Sequence, residues 1–195
     1  MNDPLEPCDD ASTPLAEEEK EELIPGWIAM RAELNEAEQG NILQADRWAF
    51  ARRRDVLDER FLCRLHKRMF GQVWRWAGEY RRSARNIGVD AYRIPNDLRQ
   101  LVDDCRYWID HLTYDPDEVA VRFHHRLVQI HPFPNGNGRH ARLATDLLLI
   151  SMNRPRFTWG QSSRVDVSSV RQQYIDALRA ADRHDYGPLL AFVRS

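Results

Sequence analysis

The stretch HPFPNGNGRHAR, residues 131–142, decides how this chain is interpreted. Pro132 disfavours helical geometry at His131, so the preceding helix is predicted to stop there with the imidazole at its C-terminal edge. Phe133 lies between two prolines and is predicted to turn inward as an anchor for the loop. The turn-forming residues 135–138 can then adopt positive φ and direct successive backbone N–H groups toward one point.

A strongly apolar helix is predicted to begin directly after this loop. Its unsatisfied N-terminal amides and partial positive charge face the same point as the loop amides. Arg139 and Arg142, three residues apart on that helix, lie on one face and can fork onto phosphate oxygens. The stretch therefore predicts a polyphosphate site with a histidine at its rim. It follows neither the GxxxxGK[ST] order of a P-loop nor the GxGxxG order of a dinucleotide fold.

Helical periodicity dominates the rest of the chain. Apolar residues recur at roughly helical spacing from Leu23 onward, and amphipathic helices follow one another through most of the sequence. Asn96 and Pro116 are typical helix-start residues, and Gly71 is typical of a helix end. The predicted helices after the first cover residues 55–70, 96–112, 115–130, 139–152 and 166–182.

Residues 78–95 break the helical rhythm. Two polar segments flank the turn-formers Asn86, Gly88 and Asp90, which predicts a short β-hairpin. The predicted architecture is therefore mainly α, a helical bundle with one small hairpin.

Length and composition fit one globular domain with an appended arm. The chain has 195 residues, of which 43% are apolar and 30% charged, with a net charge of −2. This balance argues against binding to nucleic acid or to a membrane surface. The basic clusters at 52–54 and 81–85, and Arg93, are interpreted as solvated surface. Residues 1–22 are acidic and proline-bearing, and are predicted to be a flexible arm.

The cysteines and the absence of targeting signals predict a cytoplasmic protein. The three cysteines are widely spaced and form no CxxC pair, which favours reduced thiols over disulfides or a zinc site. No apolar run approaches membrane-spanning length, and the N-terminus lacks signal-peptide order. The other six histidines are interpreted as surface or core-edge residues, since no HExxH pattern is present: His66, His111, His124, His125, His140 and His184.

The stretch 131–142 resembles the signature of the Fic/Doc family, HxFx(D/E)GNGRxxR. The resemblance covers roughly residues 57–193 and includes an upstream hairpin flap, like 78–95, and a late Tyr-x-x-Ala-Leu helix, like 174–178. It implies an N-terminal helical segment over 23–56 and a Fic core over 57–195. The seven matching positions are His131, Phe133, Gly136, Asn137, Gly138, Arg139 and Arg142.

More narrowly, HPFPNGNGRHARL and the upstream ELNEAEQGNI are similar to a Fic subgroup called mobile mystery protein B. Members of that subgroup tend to be encoded on mobile elements beside a helix-turn-helix protein. The resemblance therefore implies a helix-turn-helix partner and a role as the toxin half of a toxin–antitoxin pair. The oligomeric state stays open.

The family resemblance implies a nucleotidyltransferase that moves AMP from ATP to a Ser, Thr or Tyr hydroxyl of a target protein. In that reaction His131 takes the hydroxyl proton, since imidazole titrates near neutral pH. Amides of residues 136–138 hold the phosphates, and Arg139 and Arg142 grip the β- and γ-phosphates. The target docks on the 78–95 hairpin by strand addition, which uses backbone hydrogen bonds and demands little sequence.

Asn135 departs from the family pattern, which has an acidic Mg²⁺ ligand at this position. Asparagine offers a carbonyl oxygen but no negative charge, so a lower Mg²⁺ affinity and a lower rate are expected. Four alternatives to the transfer of AMP from ATP stay open for this reason. They are phosphoryl transfer as in the related Doc toxins, transfer from another nucleotide donor, removal of AMP from a target, and nucleotide binding without catalysis.

The resemblance also implies a restraint on the site. Many Fic proteins carry an inhibitory helix of pattern (S/T)xxxE(G/N), whose glutamate pairs with the second arginine of the motif and competes with the γ-phosphate. The segment ELNEAEQGN, residues 33–41, fails this pattern in strict register, but a shift of one residue offers Glu38. Glu38 is therefore the inhibitory candidate, with Arg142 as its expected partner.

Overall fold

The computed structural model describes residues 17–84, 87–161 and 167–195. Within these ranges the regular secondary structure is helical, apart from one isolated β-bridge, so the predicted mainly α class is confirmed. No helix in the described ranges is both long and apolar enough to cross a membrane. The α-helices are α1 (Glu17–Lys20), α2 (Arg31–Phe50), α3 (Glu59–Phe70), α4 (Ile94–Asp110), α5 (Pro116–Ile130), α6 (Asn137–Ser151), α7 (Val167–Ala181) and α8 (Gly187–Arg194).

Local chemistry sets several of the helix ends. The Asp58 carboxylate accepts a hydrogen bond from the Arg60 N–H at 3.0 Å and caps the start of α3. Helix α3 ends at Gly71, as predicted. The prediction that Asn96 caps α4 is wrong, because a 3₁₀ turn at Ala91–Arg93 runs directly into a helix that begins two residues earlier. Proline is tolerated in the first turn of α4 because an N–H group at that position would have no intrahelical acceptor, so its absence loses no hydrogen bond.

The N-terminal part is less helical than the periodicity predicted. Helix α2 begins at Arg31 rather than near Leu23, because Glu33 accepts hydrogen bonds from the N–H groups of Ala29 and Met30 at 2.8 and 3.0 Å. Residues 1–16 of the predicted acidic arm lie outside the described ranges. The rest of that arm includes α1 and contacts the core, since the backbone carbonyl of Glu22 accepts from the N–H of Arg75 at 3.0 Å.

Helix α6 joins two apolar clusters. The larger cluster is formed mainly by α2–α6 and includes Leu148, and the smaller one packs α7 and α8 and includes Leu149. The predicted burial of this helix is therefore confirmed, because consecutive residues face different clusters. Packing against both clusters fixes the position of the N-terminus of α6, into which the 135–138 loop leads.

The hairpin predicted for 78–95 is not present in its described part, residues 78–84 and 87–95. Two of its backbone donors bond to residues at and just after the end of α5. Arg81 N–H donates to the carbonyl of Pro132 at 2.9 Å, and Val89 N–H donates to the carbonyl of Ile130 at 3.4 Å. We call residues 78–84 and 87–95 the flap segment, which contacts residues 130–132 through these two hydrogen bonds.

Candidate active site

His131 ends α5 in a left-handed conformation. Its φ is 52°, its N–H donates to the carbonyl of Leu127 at 3.2 Å, and the residue is 7% exposed. The predicted stop of the helix at this histidine is confirmed. A non-glycine residue at positive φ is strained, and such strain persists where the surroundings fix it.

The surrounding group that fixes this turn is Arg81. Its side chain is buried, and its Nε–H donates to the carbonyl of His131 at 2.7 Å, while Nη1 donates to Ser83 O at 2.9 Å. Its Nη2 also bonds the Val89 and Ile130 carbonyls. The interpretation of Arg81 as solvated surface is wrong, because backbone carbonyls take the place of water around its guanidinium.

Gly88 belongs to the same arrangement. Its φ is +107°, and a Cβ added there would lie 2.6 Å from Nη2 of Arg81 and 2.8 Å from Cβ of His131. Only glycine allows the flap segment to approach the histidine this closely. The histidine, the buried arginine and the flap segment are thus one packed unit.

Asn137 and Phe133 brace the loop between α5 and α6. The Asn137 side-chain oxygen accepts from the N–H of Phe133 at 2.9 Å, and its Nδ2 donates to the carbonyl of Phe133 at 2.8 Å. The Phe133 ring is fully buried and stacks on His66 with ring centroids 3.8 Å apart. The inward turn predicted for Phe133 is confirmed, and the Asn137 side chain holds the loop through these two hydrogen bonds.

The two glycines of the loop have different neighbours. Gly136 has φ +76°, and a Cβ on it would lie 2.5 Å from the ring of Phe70, so packing requires glycine there. A Cβ on Gly138 would meet no atom within 4 Å. The first turn of α6 therefore has an open side at Gly138, where the first N–H groups of a helix have no intrahelical acceptor.

His66 connects the loop to the flap segment, a link that no pattern in the sequence predicted. Its Nδ1 accepts from the N–H of Gly78 at 3.0 Å, so Nε2 carries the proton that is donated to the carbonyl of Asn135 at 3.0 Å. Complete burial, then repulsion from His140 among other charges, lowers the pKa of His66 well below its usual range. The expectation of a surface or core-edge residue is wrong for His66, which is a buried neutral link.

Asn135 is turned into its own loop. Its Oδ1 accepts a hydrogen bond from the N–H of Gly136 at 2.6 Å. The described residues contain no group of three or more His, Cys, Asp or Glu side chains that could hold a metal ion. The side chains at the loop therefore do not by themselves fit a magnesium site, and phosphate oxygens would have to supply most of the ligands.

Glu38 contacts the motif, but through a different arginine from the one expected. Its Oε2 lies 2.6 Å from Nη1 of Arg139, and its Oε1 accepts from Nε1 of Trp74 at 2.8 Å. Glu38 is 4% exposed and the Arg139 side chain 39% exposed, so the ion pair is buried on the carboxylate side and half-exposed on the guanidinium side. The expected partner, Arg142, is wrong: α2 brings Glu38 to the first arginine of the motif.

Arg142 is held by aromatic rings. Its guanidinium carbon lies 4.5 Å from the centroid of Tyr174 and 5.7 Å from that of Trp159. Among the described residues, its buried Nε has no hydrogen-bond partner. The Tyr174 hydroxyl and Nε2 of His124 are 2.8 Å apart, which ties the ring under Arg142 to α5. Burial, together with the nearby Arg142 charge, lowers the pKa of His124 to about 3.

The chain is similar to insect proteins named protein adenylyltransferase Fic. It is 29% identical to the protein from Aedes aegypti over 143 residues, which are 71% of this chain and 27% of that protein. It is 32% identical to the protein from Drosophila erecta over 133 residues, 66% of this chain and 26% of that protein. The chain thus spans about a quarter of the length of the curated relatives it matches.

Solved Fic structures share the fold. The BepC protein of Bartonella tribocorum, crystallised with bound AMPPNP, matches with a TM-score of 0.69 at 18% identity, covering 92% of this chain and 97% of that one. Fic-1 of C. elegans matches with a TM-score of 0.65 at 25% identity, covering 90% of this chain and 51% of that one. Residues 56–149 match the Fic/DOC family profile and contain the entire loop described above. This chain belongs to the Fic/DOC family.

Proposed function

We propose that the protein is a protein adenylyltransferase, which moves AMP from ATP to a Ser, Thr or Tyr hydroxyl of a target protein. The observation that carries the proposal is the placement of His131 at the end of α5, one braced loop away from the open first turn of α6. A general base and an anion-binding helix terminus are thereby held on one rigid connection. The activity named for the curated relatives is the same.

In the proposed reaction His131 acts as the general base. Its imidazole accepts the proton of the target hydroxyl while the hydroxyl oxygen forms a bond to the α-phosphorus of ATP. The bond between the α-phosphorus and the bridging oxygen breaks, and pyrophosphate leaves with that oxygen and its electron pair. The products are the AMP ester of the target, pyrophosphate and a proton held by the imidazole.

The phosphate contacts come from the loop and α6. Backbone N–H groups at 136–138 and the positive end of α6 stabilise negative charge at the phosphates. Arg139 and Arg142 bind the β- and γ-phosphate oxygens, since guanidinium groups pair with phosphate in a bidentate manner. The ring contacts of Arg142 orient its guanidinium in advance, which reduces the entropy lost on binding.

The target segment docks on the flap segment. Residues 78–84 and 87–95 lie against the turn that carries His131, and Arg81 joins the two. A peptide that bonds to the outer backbone groups of this segment would bring a hydroxyl near the imidazole without requiring a particular sequence. The residue modified and the identity of the target are set by which protein offers an extended, accessible hydroxyl.

We infer that Glu38 inhibits the reaction by occupying Arg139. The ion pair at 2.6 Å engages a guanidinium that the proposed mechanism needs for phosphate, and Trp74 fixes the carboxylate in that position. A carboxylate and a phosphate cannot both fill the same fork of a guanidinium. Binding of ATP in a productive position therefore requires Glu38 to leave Arg139.

One observation favours a second candidate function. The Oδ1 atom of Asn135 is engaged by the N–H of Gly136, and the position lacks the acidic metal ligand of the family pattern. Weak magnesium binding would slow transfer of AMP, or favour phosphoryl transfer, AMP removal or nucleotide binding without chemistry. The proposed adenylyltransferase uses ATP as its donor substrate and Mg²⁺ as its cofactor, with Asn135 as a weak magnesium ligand.

Incubation of the protein with labelled ATP and cell lysate separates these functions. AMP transfer predicts protein labelled from α-³²P-ATP in wild type and none with His131→Ala. Label from γ-³²P-ATP alone would replace the proposal with phosphoryl transfer. Binding of ATP without label on any protein would indicate that the protein binds nucleotide but does not catalyse transfer. Loss of label from a pre-labelled target would indicate AMP removal.

The resemblance to the mobile mystery protein B subgroup supports a further biological proposal. In this proposal the protein is the toxin half of a two-gene module whose partner is a helix-turn-helix protein. Co-purification of a helix-turn-helix protein from the natural host would test the module.

The described cysteines, Cys63 and Cys105, are free thiols, which supports the cytoplasmic location proposed from the sequence.

A further inference from the structure

A second concave site is formed by the end of α2, the connection that follows it and one face of α3. It has a volume of about 480 Å³ and is lined by the rings of Trp48 and Phe61, by five arginines and by two aspartates. Trp48 follows Glu38 by ten residues on the same helix, which places it about 15 Å away along the axis at 1.5 Å per residue. The pocket is therefore separate from the candidate active site. Its arginines are Arg52, Arg53, Arg54, Arg64 and Arg68.

The acidic residues of the pocket do not balance its positive charge. Five arginines against two aspartates leave a formal surplus of three positive charges. Both carboxylates also serve other groups. Asp58 caps α3 and lies 3.6 Å from Arg64, while Asp55 accepts from the N–H of Leu57 at 3.1 Å and pairs with Arg106 at 3.5 Å. Like charges held this closely repel each other, and an anion would relieve that repulsion.

Arg54 shows the same imbalance at the level of one side chain. Its Nη2 donates to the carbonyl of Trp48 at 2.8 Å, but within the described ranges its buried Nε has no hydrogen-bond partner. Partial burial, and then repulsion from Arg52, Arg64 and Arg68, lowers the pKa of Arg54 below its ordinary value. A buried N–H donor of a charged group without an acceptor is costly, so an anion with several oxygens would be favoured here.

The tryptophan indicates which kind of anion fits. The guanidinium carbons of Arg54 and Arg68 lie 4.2 and 5.1 Å from the Trp48 ring centroid, and the ring stacks on Phe61 at 6.0 Å. The ring therefore positions arginines rather than offering a platform on which nucleobases could stack. The net charge of the chain, −2, is also unlike that of nucleic-acid-binding domains.

We propose that this pocket binds a compact anion that carries two or more phosphate groups. Arg52, Arg64 and Arg68 supply the guanidinium forks, and the rings of Trp48 and Phe61 contact Arg68 and Arg64, respectively. The volume is in the range of small-ligand sites, which favours a small molecule over a polymer. The proposal does not depend on the catalytic activity proposed above.

Calorimetric titration with inorganic tripolyphosphate tests the proposal. All variants carry Arg142→Gln as the background. This change weakens binding at the 135–138 loop and the start of α6, so that binding at the pocket can be measured separately. The added changes are Arg52→Gln and Arg68→Gln together, both at exposed positions. The matched control adds Arg179→Gln and Arg183→Gln, two exposed arginines of α7 and its C-terminal end, which alter the net charge equally.

The background variant is expected to bind tripolyphosphate, and the pocket changes should weaken that binding by at least about tenfold. The control should stay within about twofold of the background, as expected for a loss of general charge alone. Equal weakening in both, or no binding by the background, would overturn the proposal. Tighter binding of single-stranded DNA or of a polyglutamate peptide than of tripolyphosphate, lost with the same pocket changes, would replace the small ligand with a macromolecule.

Discussion

The buried carboxylate of Glu38 on α2 and the half-exposed guanidinium of Arg139 on α6 form an ion pair with an O–N distance of 2.6 Å. The two residues are 101 positions apart in the sequence, and the contact links the helix before the family domain to the first turn of α6. Since Trp74 holds the other carboxylate oxygen, the glutamate has two partners to lose on release.

Replacing Glu38 with glycine is therefore expected to raise protein labelling from α-³²P-ATP by about tenfold or more, because Arg139 becomes available to phosphate. Glu36→Gly is the matched control: it lies on an exposed face of the same helix and carries the same loss of helix propensity, about 1 kcal/mol. Equal labelling by the two variants and by wild type would show that Glu38 is a structural residue.

Arg81 should matter both to stability and to the proposed catalysis. Arg81→Ala leaves several buried carbonyls, including that of His131, without their donor, and we expect the free energy of unfolding to fall by about 2–4 kcal/mol. Urea denaturation measures this loss, and labelling by the remaining folded protein should fall at least about tenfold, since the histidine turn loosens. Arg82→Ala, whose side chain is 91% exposed, should change neither quantity.

Gly138→Ala should separate stability from activity. A Cβ there meets no protein atom within 4 Å and lies in the first turn of α6, so alanine is expected to raise the free energy of unfolding, by up to about 1 kcal/mol. Labelling should nevertheless fall, since the methyl group enters the space proposed for the phosphates. In Gly136→Ala, by contrast, both quantities should fall, because the methyl group collides with Phe70. Undiminished labelling by Gly138→Ala would place the phosphates elsewhere.

Three buried neutral histidines should make the fold sensitive to mild acid. Burial is the main cause that lowers the pKa of His66 well below its usual range, of His124 to about 3 and of His140 to about 4. The unfolded chain binds these protons near pH 6.5, whereas the folded chain does not. The free energy of unfolding is therefore undiminished by these groups above that pH and falls as the pH drops below it. Each group contributes about 1.4 kcal/mol per pH unit between its two pKa values.

Unfolding at pH 5 should accordingly take up about three protons from these groups, and His125, whose burial also lowers its pKa, adds to that uptake. The uptake is measured from the pH dependence of urea denaturation. His124→Gln removes one titrating group and should reduce the uptake by about one proton, even if it lowers stability at every pH. If the free energy of unfolding depends on pH equally in this variant and in wild type, then burial does not keep His124 neutral in the folded protein.

Asn135→Asp is expected to strengthen magnesium use. The carboxylate can still accept the N–H of Gly136 and adds the negative charge that a hard cation prefers, so half-maximal labelling should need about tenfold less Mg²⁺. Asn96→Asp, at an exposed position of α4, adds the same charge away from the loop and is the control. An unchanged Mg²⁺ requirement would show that the family ligand position has no role in this chain.

The sequence alone determined the features that depend on neighbouring residues and on periodicity. Pro132 predicted the end of α5 at His131, the prolines around Phe133 predicted its inward turn, and the nearly continuous apolar run of α6 predicted burial. These inferences succeed because steric limits on backbone angles and burial of apolar faces act over a few residues.

The tertiary structure decided the features that join residues distant in the chain. The burial of Arg81, the link from His66 to Asn135 and the choice of Arg139 over Arg142 by Glu38 leave no periodic signal in the sequence. In its described ranges, 78–84 and 87–95, the flap segment forms no strand pairing, and the N–H groups of Arg81 and Val89 donate to residues 132 and 130 instead. Polar partners of this kind are set by how the helices pack, since each buried donor takes whichever acceptor the fold brings within reach.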